Sequence, residues 1–283
     1  MKKILLTGAT GFIGSELLKN LSNYNKVYIT LRKRHKINPN NKNIIKIHFN
    51  SYKDLSHKFR KIKIDTVIHC ATHYVKSHKF EDIKKLSESN ILFGNIILEN
   101  LKIMRVKKFV NFSTVWENFD GKKDNFYNLY SAYKASFIKI MSFYKKKNLN
   151  TKFLNLVISD TFGLRDKRKK IVNLLKTNYK RNLVTKIVSK NLHINLLNVK
   201  DIVNAIELIL KKNYKSDNYI LKNKNNFKIY DIVKEIEKYS QKKLRVKWLS
   251  NKIIKEKTYQ FETLKGWKPK NSNIKDIVRV ITE

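Results

Sequence analysis

Short β-branched runs alternate with longer amphipathic stretches through the first two-thirds of the chain. Apolar runs of this length predict strands, and apolar positions recurring every three to four residues predict helices that cover them. The strands are predicted at 3–7, 26–31, 44–48, 66–70, 108–112 and 152–158, and the helices at 12–21, 52–61, 81–101 and 129–146. This order predicts right-handed crossovers and an α/β fold with a doubly wound parallel sheet of the Rossmann type.

The pattern loosens after about residue 163. Short strands are predicted at 193–197 and 218–221, mixed with helices at 201–211, 229–239 and 274–281. This mixture predicts a smaller C-terminal α+β lobe. We therefore expect two domains, 1–165 and 166–283, with the second partly interleaved with the first. Pro39 and Pro269 are the only prolines, so no proline-rich hinge separates the two lobes.

A glycine-rich turn lies directly between the first strand and the first helix. Its glycines permit a tight turn, the close approach of a pyrophosphate to backbone N–H groups, and tight packing of the helix on the sheet. This context predicts that residues 1–165 bind a dinucleotide. The expected contacts come from Gly8, Thr10, Gly11, Phe12, Ile13 and Gly14.

The end of the second strand indicates which dinucleotide is bound. An acidic residue there would hold the ribose hydroxyls of NAD, but the chain reads Leu31-Arg32-Lys33-Arg34. Arg32 with its basic neighbours could pair with a 2′-phosphate instead. We therefore expect NADP(H) to be preferred, and NAD(H) remains open.

A tyrosine and a lysine stand one helical turn apart at Tyr130 and Lys134, after the fifth strand, with Thr114 at the end of that strand. An ammonium beside a phenol is expected to lower the pKa of the tyrosine, so that it exchanges a proton with a substrate oxygen that Thr114 also contacts. Only this pair follows a strand that ends beside the expected cofactor. The same spacing recurs at Tyr230/Lys234 and Tyr239/Lys243.

The chain carries 62 Lys or Arg against 22 Asp or Glu, a formal charge of +40. Such a charge attracts nucleic acid or other polyanions. The lysines are nevertheless scattered through every segment, which favours compositional drift over a nucleic-acid function. The single cysteine, Cys70, excludes an intramolecular disulfide framework and favours a reducing compartment, so a cytoplasmic location is expected. No stretch approaches the length of about 20 apolar residues needed to span a membrane.

Taken with further short motifs, these residues resemble the extended short-chain dehydrogenase/reductases that act as nucleotide-sugar epimerases, dehydratases and reductases. In character the chain is most similar to the CDP-hexose 4-ketoreductases, such as abequose and paratose synthases. The additional motifs are Val67-Ile68-His69-Cys70-Ala71-Thr72, Asn90 in its helix, Phe162-Gly163, Val199-Lys200-Asp201 and Gly266-Trp267-Lys268-Pro269.

The resemblance implies roles for particular residues. Thr114, Tyr130 and Lys134 would be catalytic, and Lys134 would also hold the nicotinamide ribose. Asn50, Ala71 and Asn90 would join the glycine-rich turn and Arg32 in binding the cofactor. The expected substrate contacts are Thr72, Trp116, Asp160, Arg168 and Lys170.

Departures from the family pattern narrow the reaction. Members that eliminate water carry an Asp-Glu pair immediately after the threonine, where this chain has Val115 and Trp116. Ile194 replaces an arginine that contacts the nucleotide diphosphate, and Leu164 replaces a proline. Either a basic cluster substitutes for the missing arginine or it is a solvated helix start. The cluster comprises Arg165, Lys167, Arg168, Lys169 and Lys170.

The expected activity is the NADPH-dependent reduction of the 4-keto group of a nucleotide-linked deoxyhexose, in surface polysaccharide biosynthesis. A 4-epimerase that retains NAD is the main alternative, and a non-catalytic dinucleotide- or RNA-binding protein is the second. The expected partner is the nucleotide sugar, and a homodimer is allowed. No metal is expected: His73 and His78 lie near His69 and Cys70, but those two neighbours in a strand face opposite sides.

Overall fold

The computed structural model describes residues 1–32 and 41–283. Six of its strands follow the predicted runs to within two residues. In chain order the strands are β1 (Lys3–Thr7), β2 (Lys26–Arg32), β3 (Ile44–Phe49), β4 (Thr66–His69), β5 (Lys108–Thr114), β6 (Lys152–Ile158), β7 (Asp160–Phe162), β8 (Thr185–Ile187), β9 (Leu192–Ile194), β10 (Leu196–Asn198), β11 (Asn218–Leu221), β12 (Phe227–Lys228), β13 (Val246–Trp248) and β14 (Ile254–Lys255).

Six of the helices follow the predicted periodicity to within two residues, and the helix at Ile171–Arg181 was not predicted. The single helix predicted at 81–101 is two helices joined by a π-helical segment, Glu88–Leu92, in which Asn90 is buried. A π-turn adds a residue to the helix and shifts its faces, which apolar periodicity does not show. The helices are α1 (Phe12–Leu21), α2 (Tyr52–Arg60), α3 (Phe80–Ser87), α4 (Phe93–Glu99), α5 (Leu129–Lys147), α6 (Ile171–Arg181), α7 (Val199–Lys211), α8 (Ile229–Ser240) and α9 (Ile274–Thr282).

Seven parallel strands form the central sheet in the order β11-β6-β5-β4-β1-β2-β3. The strand order reverses between β1 and β4, which is the switch point of a doubly wound sheet, so the predicted Rossmann-type fold is confirmed. The sheet is apolar on both faces because successive side chains alternate. Ile4 and Leu6 pack on one face with α1 and α7, whereas Leu5 packs on the other with α2, α4 and α5.

Two elements predicted for the trailing lobe belong to the first domain instead: β11 joins the central sheet, and α7 is one of the helices that cover it. β11 pairs with β6, and α7 packs against α1. A row of three asparagines accompanies this pairing, of which Asn111 and Asn155 are buried: Asn111 Nδ2 donates to Asn155 Oδ1 at 2.7 Å, and Asn155 Nδ2 donates to Asn218 Oδ1 at 2.8 Å. The lobe is therefore interleaved with the sheet, and the division at residues 165 and 166 stays a prediction.

The remainder of the C-terminal half packs α6, α8 and α9 around a separate apolar core with small sheets beside it. The strand predicted at 193–197 is two strands in different sheets, β9 and β10, separated by Asn195. The Asn195 backbone N–H donates to Glu256 Oε2 at 2.7 Å, and its side-chain Nδ2 donates to the Asn223 carbonyl at 3.1 Å. Asn195 is thus used for loop contacts instead of strand pairing.

A buried aspartate anchors the end of the chain. Asp201, in the first turn of α7, accepts hydrogen bonds from the backbone N–H groups of Lys270 and Asn271 and from the Ser272 hydroxyl. The Trp267 indole N–H donates to the Asp201 carbonyl at 3.0 Å. Two of the short family motifs therefore contact each other and have a structural role. Within the described residues, no helix combines the length and the apolar character needed to cross a membrane; the cytoplasmic location stays a prediction.

Candidate active site

The glycine-rich turn forms the floor of a cleft at the carboxyl ends of the strands. Gly8 has a φ of +68°, and a Cβ there would lie 2.6 Å from the Ala71 nitrogen. A Cβ on Gly14 would collide with the Gly8 carbonyl oxygen. Only glycine fits both positions, and the turn leads directly into the N-terminus of α1. This geometry fits a pyrophosphate held by backbone N–H groups.

Thr7 fixes the turn against the neighbouring strand. The Ala71 N–H donates to the Thr7 hydroxyl oxygen at 3.2 Å, and the Thr7 hydroxyl lies 2.9 Å from His69 Nδ1. Burial, with a smaller contribution from Lys134, lowers the pKa of His69 to about 3, so the imidazole is neutral. His69 lies on the same face as Phe93 and Phe109, whereas Cys70 packs toward the opposite core. No group of three metal-ligating side chains occurs in the part of the chain that the structure describes.

A cavity of about 820 Å³ extends from this turn along the sheet edge. It brings together most of the residues predicted for cofactor, catalysis and substrate. Those lining it are Gly8, Thr10, Gly11, Phe12, Ile13, Gly14, Arg32, Ala71, Thr72, Thr114, Trp116, Tyr130, Lys134, Arg168 and Lys170. Three predicted residues, Asn50, Asn90 and Asp160, do not line it.

Each of these three has a different local reason. Asn50 is exposed, and its N–H donates to the Asp54 carboxylate at 3.1 Å beside the start of α2. Asn90 is buried in the π-helical segment, where its Oδ1 accepts from the Thr72 hydroxyl and the His73 N–H. It shapes the cavity wall through residues 72 and 73 without lining it. Asp160 is used in an ion pair with Lys170.

At one end of the cavity, Arg32 closes β2 with Thr30, Leu31 and Phe49 beside it. Arg32 is exposed at this edge. Its basic neighbours Lys33 and Arg34 lie outside the described residues. The position of Arg32 at the carboxyl end of the second strand is the one that a 2′-phosphate contact requires.

Thr114, Tyr130 and Lys134 all line the cavity. Asn128 caps α5 by accepting from the Ser131 N–H at 3.0 Å, which places Tyr130 and Lys134 in the first two turns. The pKa of Tyr130 is raised to about 12, mainly by burial and to a smaller extent by the Glu117 carboxylate. The Thr72 hydroxyl and Arg168 act in the opposite direction. The predicted lowering of this pKa by Lys134 is wrong, because burial and Glu117 outweigh the favourable contacts.

The carboxyl of Glu117 acts on Lys134. Glu117 is 5% exposed and accepts a hydrogen bond from the Ser113 hydroxyl. Burial raises the pKa of Glu117, and the Lys134 ammonium opposes this shift. Burial likewise lowers the pKa of Lys134, which is 3% exposed, and Glu117 opposes that shift. The sequence shows this glutamate but not that its carboxyl turns behind Ser113.

The far end of the cavity is aromatic and basic. The Lys170 ammonium contacts Asp160 Oδ1 at 2.5 Å and lies 4.7 Å from the centre of the Trp116 ring and 5.4 Å from that of Tyr74. The Tyr74 ring meets Tyr130 edge-on at 5.1 Å. Tyr74 was missed by sequence reasoning because it stands in the loop after β4, where no periodicity or motif marks it.

Arg168 connects this end to the glycine-rich turn. Its guanidinium stacks 4.4 Å from the centre of the Phe12 ring and pairs with Asp166, with Oδ2 at 2.7 Å. Arg168 Nη2 also donates to the Thr161 hydroxyl oxygen at 2.7 Å. Arg165 and Lys167 of the predicted basic cluster also line the cavity, whereas the exposed Lys169 does not. The predicted basic cluster is therefore partly gathered at the cavity.

The fold and cavity together define a nicotinamide-dinucleotide enzyme of the extended short-chain dehydrogenase/reductase class. Residues 4–221 match the NAD dependent epimerase/dehydratase family, and the chain belongs to it. The chain is 27% identical to a CDP-abequose synthase of Salmonella muenchen over 77% of this chain and 73% of that protein. It is 30% identical to a dTDP-D-glucose 4,6-dehydratase of Dictyostelium discoideum over 75% of this chain and 56% of that protein.

A similar solved structure supports the fold. It is a UDP-N-acetylglucosamine 4-epimerase from Methanobrevibacter ruminantium M1, in complex with UDP-N-acetylmuramic acid. The TM-score is 0.83 at 18% identity, and the match covers 99% of this chain and 97% of that one. The structural similarity extends beyond residue 221, where the family match ends.

Proposed function

We propose that this enzyme uses NADPH to reduce the 4-keto group of a nucleotide-linked deoxyhexose. One observation carries the choice among the reactions of the family: the two positions after Thr114 hold side chains that cannot act as acid or base. Val115 packs against Val157 and Ile220, away from the cavity, and the Trp116 indole lines the cavity beside Tyr74. The similarity to CDP-abequose synthases supports the same choice.

The cofactor would lie along the glycine-rich turn, with its adenosine toward Arg32. Bound NADPH would supply a hydride to C4 of the sugar. Arg32 would pair with the 2′-phosphate, since no acidic side chain stands at the end of β2 to favour NAD. NAD(H) dependence is the broader property of the family, and the preference for NADP(H) is part of this proposal.

The protein side of the reaction would be a proton transfer. Thr114 would hold the carbonyl oxygen, and the Tyr130 hydroxyl would protonate that oxygen as hydride reaches C4, so that the ketone gains two hydrogens and becomes an alcohol. The raised pKa of Tyr130 suits a group that must arrive protonated. Lys134 would hold the nicotinamide ribose and balance the phenolate left after transfer.

The nucleotide sugar would occupy the aromatic and basic end. Among residues 1–32 and 41–283, Arg168 Nη1 has no hydrogen-bond partner, so it remains able to bind a diphosphate oxygen. Trp116 offers an apolar face to a deoxy carbon, and Thr72 a hydroxyl. Lys170, held by its ion pair with Asp160, would contact the substrate at the same end. A homodimer and the absence of a nucleic-acid partner stay predictions.

The test is a screen of CDP-, dTDP- and UDP-linked 4-keto-6-deoxyhexoses with NADPH. We expect NADPH absorbance to fall in proportion to a product two mass units heavier than the ketone. No product that has lost water should form from nucleotide hexoses supplied with NADP or NAD. A water-loss product dependent on Glu117 would overturn the reductase assignment.

The fold similarity to a 4-epimerase favours the second candidate. An epimerase oxidises and then re-reduces C4 without net use of cofactor. It would interconvert nucleotide hexoses with tightly retained NAD and leave added NADPH unconsumed. The same screen therefore separates the two reactions.

A further inference from the structure

The segments that lead into the strands of the central sheet lie at the edge opposite the cavity, because all seven strands are parallel and the cavity lies at their carboxyl ends. Strands of up to seven residues separate the two edges by about 20 Å. We call the surface formed by six of these segments the amino edge. It comprises residues 22–26, 41–43, 61–65, 100–108, 145–152 and 211–217.

The amino edge is more basic than the rest of the molecule. Its 37 residues include 15 Lys or Arg and only two acidic side chains, Asp65 and Asp217. The other 246 residues carry 47 Lys or Arg against 20 Asp or Glu. A compositional excess of lysine alone would spread evenly along the chain, so it does not account for a concentration at one edge of the fold.

Most of these cations are free to attract an external anion. Thirteen of the fifteen are exposed, and Lys26 and Lys108 are half-buried. Lys63, Lys108 and Lys145 donate to backbone carbonyls, as cations near helix ends often do. Within residues 1–32 and 41–283, none of the fifteen forms an ion pair with a carboxylate. The amino edge therefore presents positive charge that the protein itself does not neutralise.

Three segments of the amino edge also expose an apolar side chain. Tyr24 is 76% exposed, Ile103 40% and Leu149 84%. The loops that carry Ile103 and Leu149 lie side by side, since the Thr151 hydroxyl donates to the Val106 carbonyl at 2.7 Å. Single exposed apolar residues are ordinary on a protein surface. Several of them at one edge, surrounded by lysines, match the interfacial surfaces that combine apolar burial with attraction to anionic lipids.

We propose that the amino edge docks this enzyme on the surface of an anionic membrane, with Ile103 and Leu149 entering the headgroup region and the surrounding lysines contacting lipid phosphates. The cavity would then face away from the bilayer and stay open to the nucleotide sugar. Nucleic acid fits the same charge less well, because its binding sites favour arginine and stacked aromatic rings. Arg105 is the one arginine among the fifteen cations, and Tyr24 is the one exposed aromatic residue of these segments.

The test is sedimentation of the whole protein with vesicles of phosphatidylcholine and phosphatidylglycerol in a two-to-one ratio, and with vesicles of phosphatidylcholine alone. We expect binding to the anionic vesicles only, weakening as salt is raised. A protein of this net charge is attracted to any anionic surface, so two variants of equal charge decide where it binds. The edge variant combines Lys102→Gln, Lys107→Gln, Lys146→Gln and Lys152→Gln. The control variant combines Lys186→Gln, Lys224→Gln, Lys243→Gln and Lys247→Gln, at positions that are equally exposed but outside the amino edge.

The edge variant should bind the anionic vesicles about 30-fold less tightly than the wild type, and the control variant should stay within about threefold of it. Equal losses in the two variants, or no binding of the wild type to anionic vesicles, would overturn the proposal. NADPH affinity should be the same in all three proteins, because the cavity lies at the opposite edge; this also checks that the variants are folded. The amino edge lies apart from the cavity, so vesicle binding does not depend on which sugar the enzyme reduces.

Leu149→Ser separates a membrane from a nucleic acid, since it removes an exposed apolar side chain without changing the charge. We expect binding to the anionic vesicles to weaken on the order of fivefold, while binding to polyuridylic acid stays unchanged. Ile253→Ser is the matched control, at a side chain that is 71% exposed in the C-terminal half, and it should change neither. If Leu149→Ser bound the vesicles as tightly as the wild type, or if the edge variant lost only its binding to polyuridylic acid, the assignment of a membrane as partner would be wrong.

Discussion

Two buried carboxylates lie in the two halves of the molecule, and their surroundings differ. Asp201, in the C-terminal anchor, is fully buried and accepts from two backbone N–H groups, an asparagine amide and a hydroxyl. Glu117, beside the cavity, accepts one side-chain hydrogen bond, from Ser113, and burial raises its pKa to about 7. A buried carboxylate with a full set of donors ties together the segments that donate to it, whereas one with few donors holds little structure. The first region should therefore determine stability, and the second should determine chemistry.

The largest effect should come from Tyr130→Phe at the catalytic edge. Removing the proton donor should lower turnover by about 100- to 10,000-fold, the usual worth of general acid catalysis. The melting temperature and NADPH affinity should change little, because the ring still packs against Tyr74. Steady-state kinetics and isothermal titration measure the two properties.

Matched controls are available for that variant. Tyr230 and Tyr239 have the same spacing to a lysine, but Tyr239 is 70% exposed and Tyr230 packs against Trp248 in the C-terminal half. Tyr230→Phe and Tyr239→Phe should leave turnover unchanged. A large loss in either, with Tyr130→Phe active, would show that the site is misplaced.

Asp201→Ala should have the opposite effect to Tyr130→Phe, lowering stability and not catalysis. The substitution leaves the Lys270 and Asn271 N–H groups and the Ser272 hydroxyl without their acceptor, and each buried unpaired group costs about 1 to 3 kcal/mol. We expect the free energy of unfolding to fall by about 3 to 5 kcal/mol, measured by urea denaturation. Asp201→Asn, which keeps one oxygen, should lose less. A stable Asp201→Ala protein with impaired catalysis would break the contrast between the regions.

Arg32→Ala changes a residue at the cavity edge and should have a smaller effect. Loss of a charged hydrogen bond to the 2′-phosphate should weaken NADPH binding by about 1 to 3 kcal/mol and leave NADH binding nearly unchanged. The unfolding free energy should not move, because Arg32 is exposed. An unchanged ratio of the NADPH and NADH dissociation constants would contradict the assignment of Arg32.

The cofactor end of the site could be predicted from sequence because its chemistry is local. Gly8, Gly11 and Gly14 act through backbone geometry within one strand-turn-helix unit, and Tyr130 and Lys134 share one helix. The aromatic and basic end could not be assembled in the same way. Its parts come from the loop after β4, the turn after β5 and the segment before α6, which only the tertiary fold brings together.

In the fold, too, local features could be predicted from the sequence and long-range contacts could not. The six strands predicted in the first two-thirds of the chain lie within two residues of their predicted bounds. The strand that pairs with Asn218–Leu221 was not predicted, because strand pairing depends on contacts between distant parts of the chain. The buried Asn155 is the link that sequence patterning could not show: an asparagine inside an apolar run reads as an interruption until its partners on β5 and β11 are known.

The smallest effect concerns Glu256, a carboxyl in the C-terminal half that resembles Glu117 more than Asp201. Its Oε2 accepts from the Asn195 N–H, but within the described residues its buried Oε1 has no partner. The pKa of Glu256 is raised to about 7, mainly by burial and to a smaller extent by the Asp160 carboxylate. The hydrogen bond from Asn195 and the charges of Lys170 and Lys222 act in the opposite direction. A carboxyl whose pKa is higher in the folded state binds its proton more tightly there. Its favourable contribution to stability is therefore complete below the unfolded pKa and is lost as pH rises to about 7.

Glu256→Gln removes this titration. Relative to the variant, the wild type should lose about 2 kcal/mol of unfolding free energy between pH 5 and pH 8, measured by urea denaturation at each pH. A constant difference between the wild type and Glu256→Gln from pH 5 to pH 8 would contradict the raised pKa of Glu256. It would also contradict the interpretation that a buried carboxyl with few donors, as at Glu117, remains titratable in this protein.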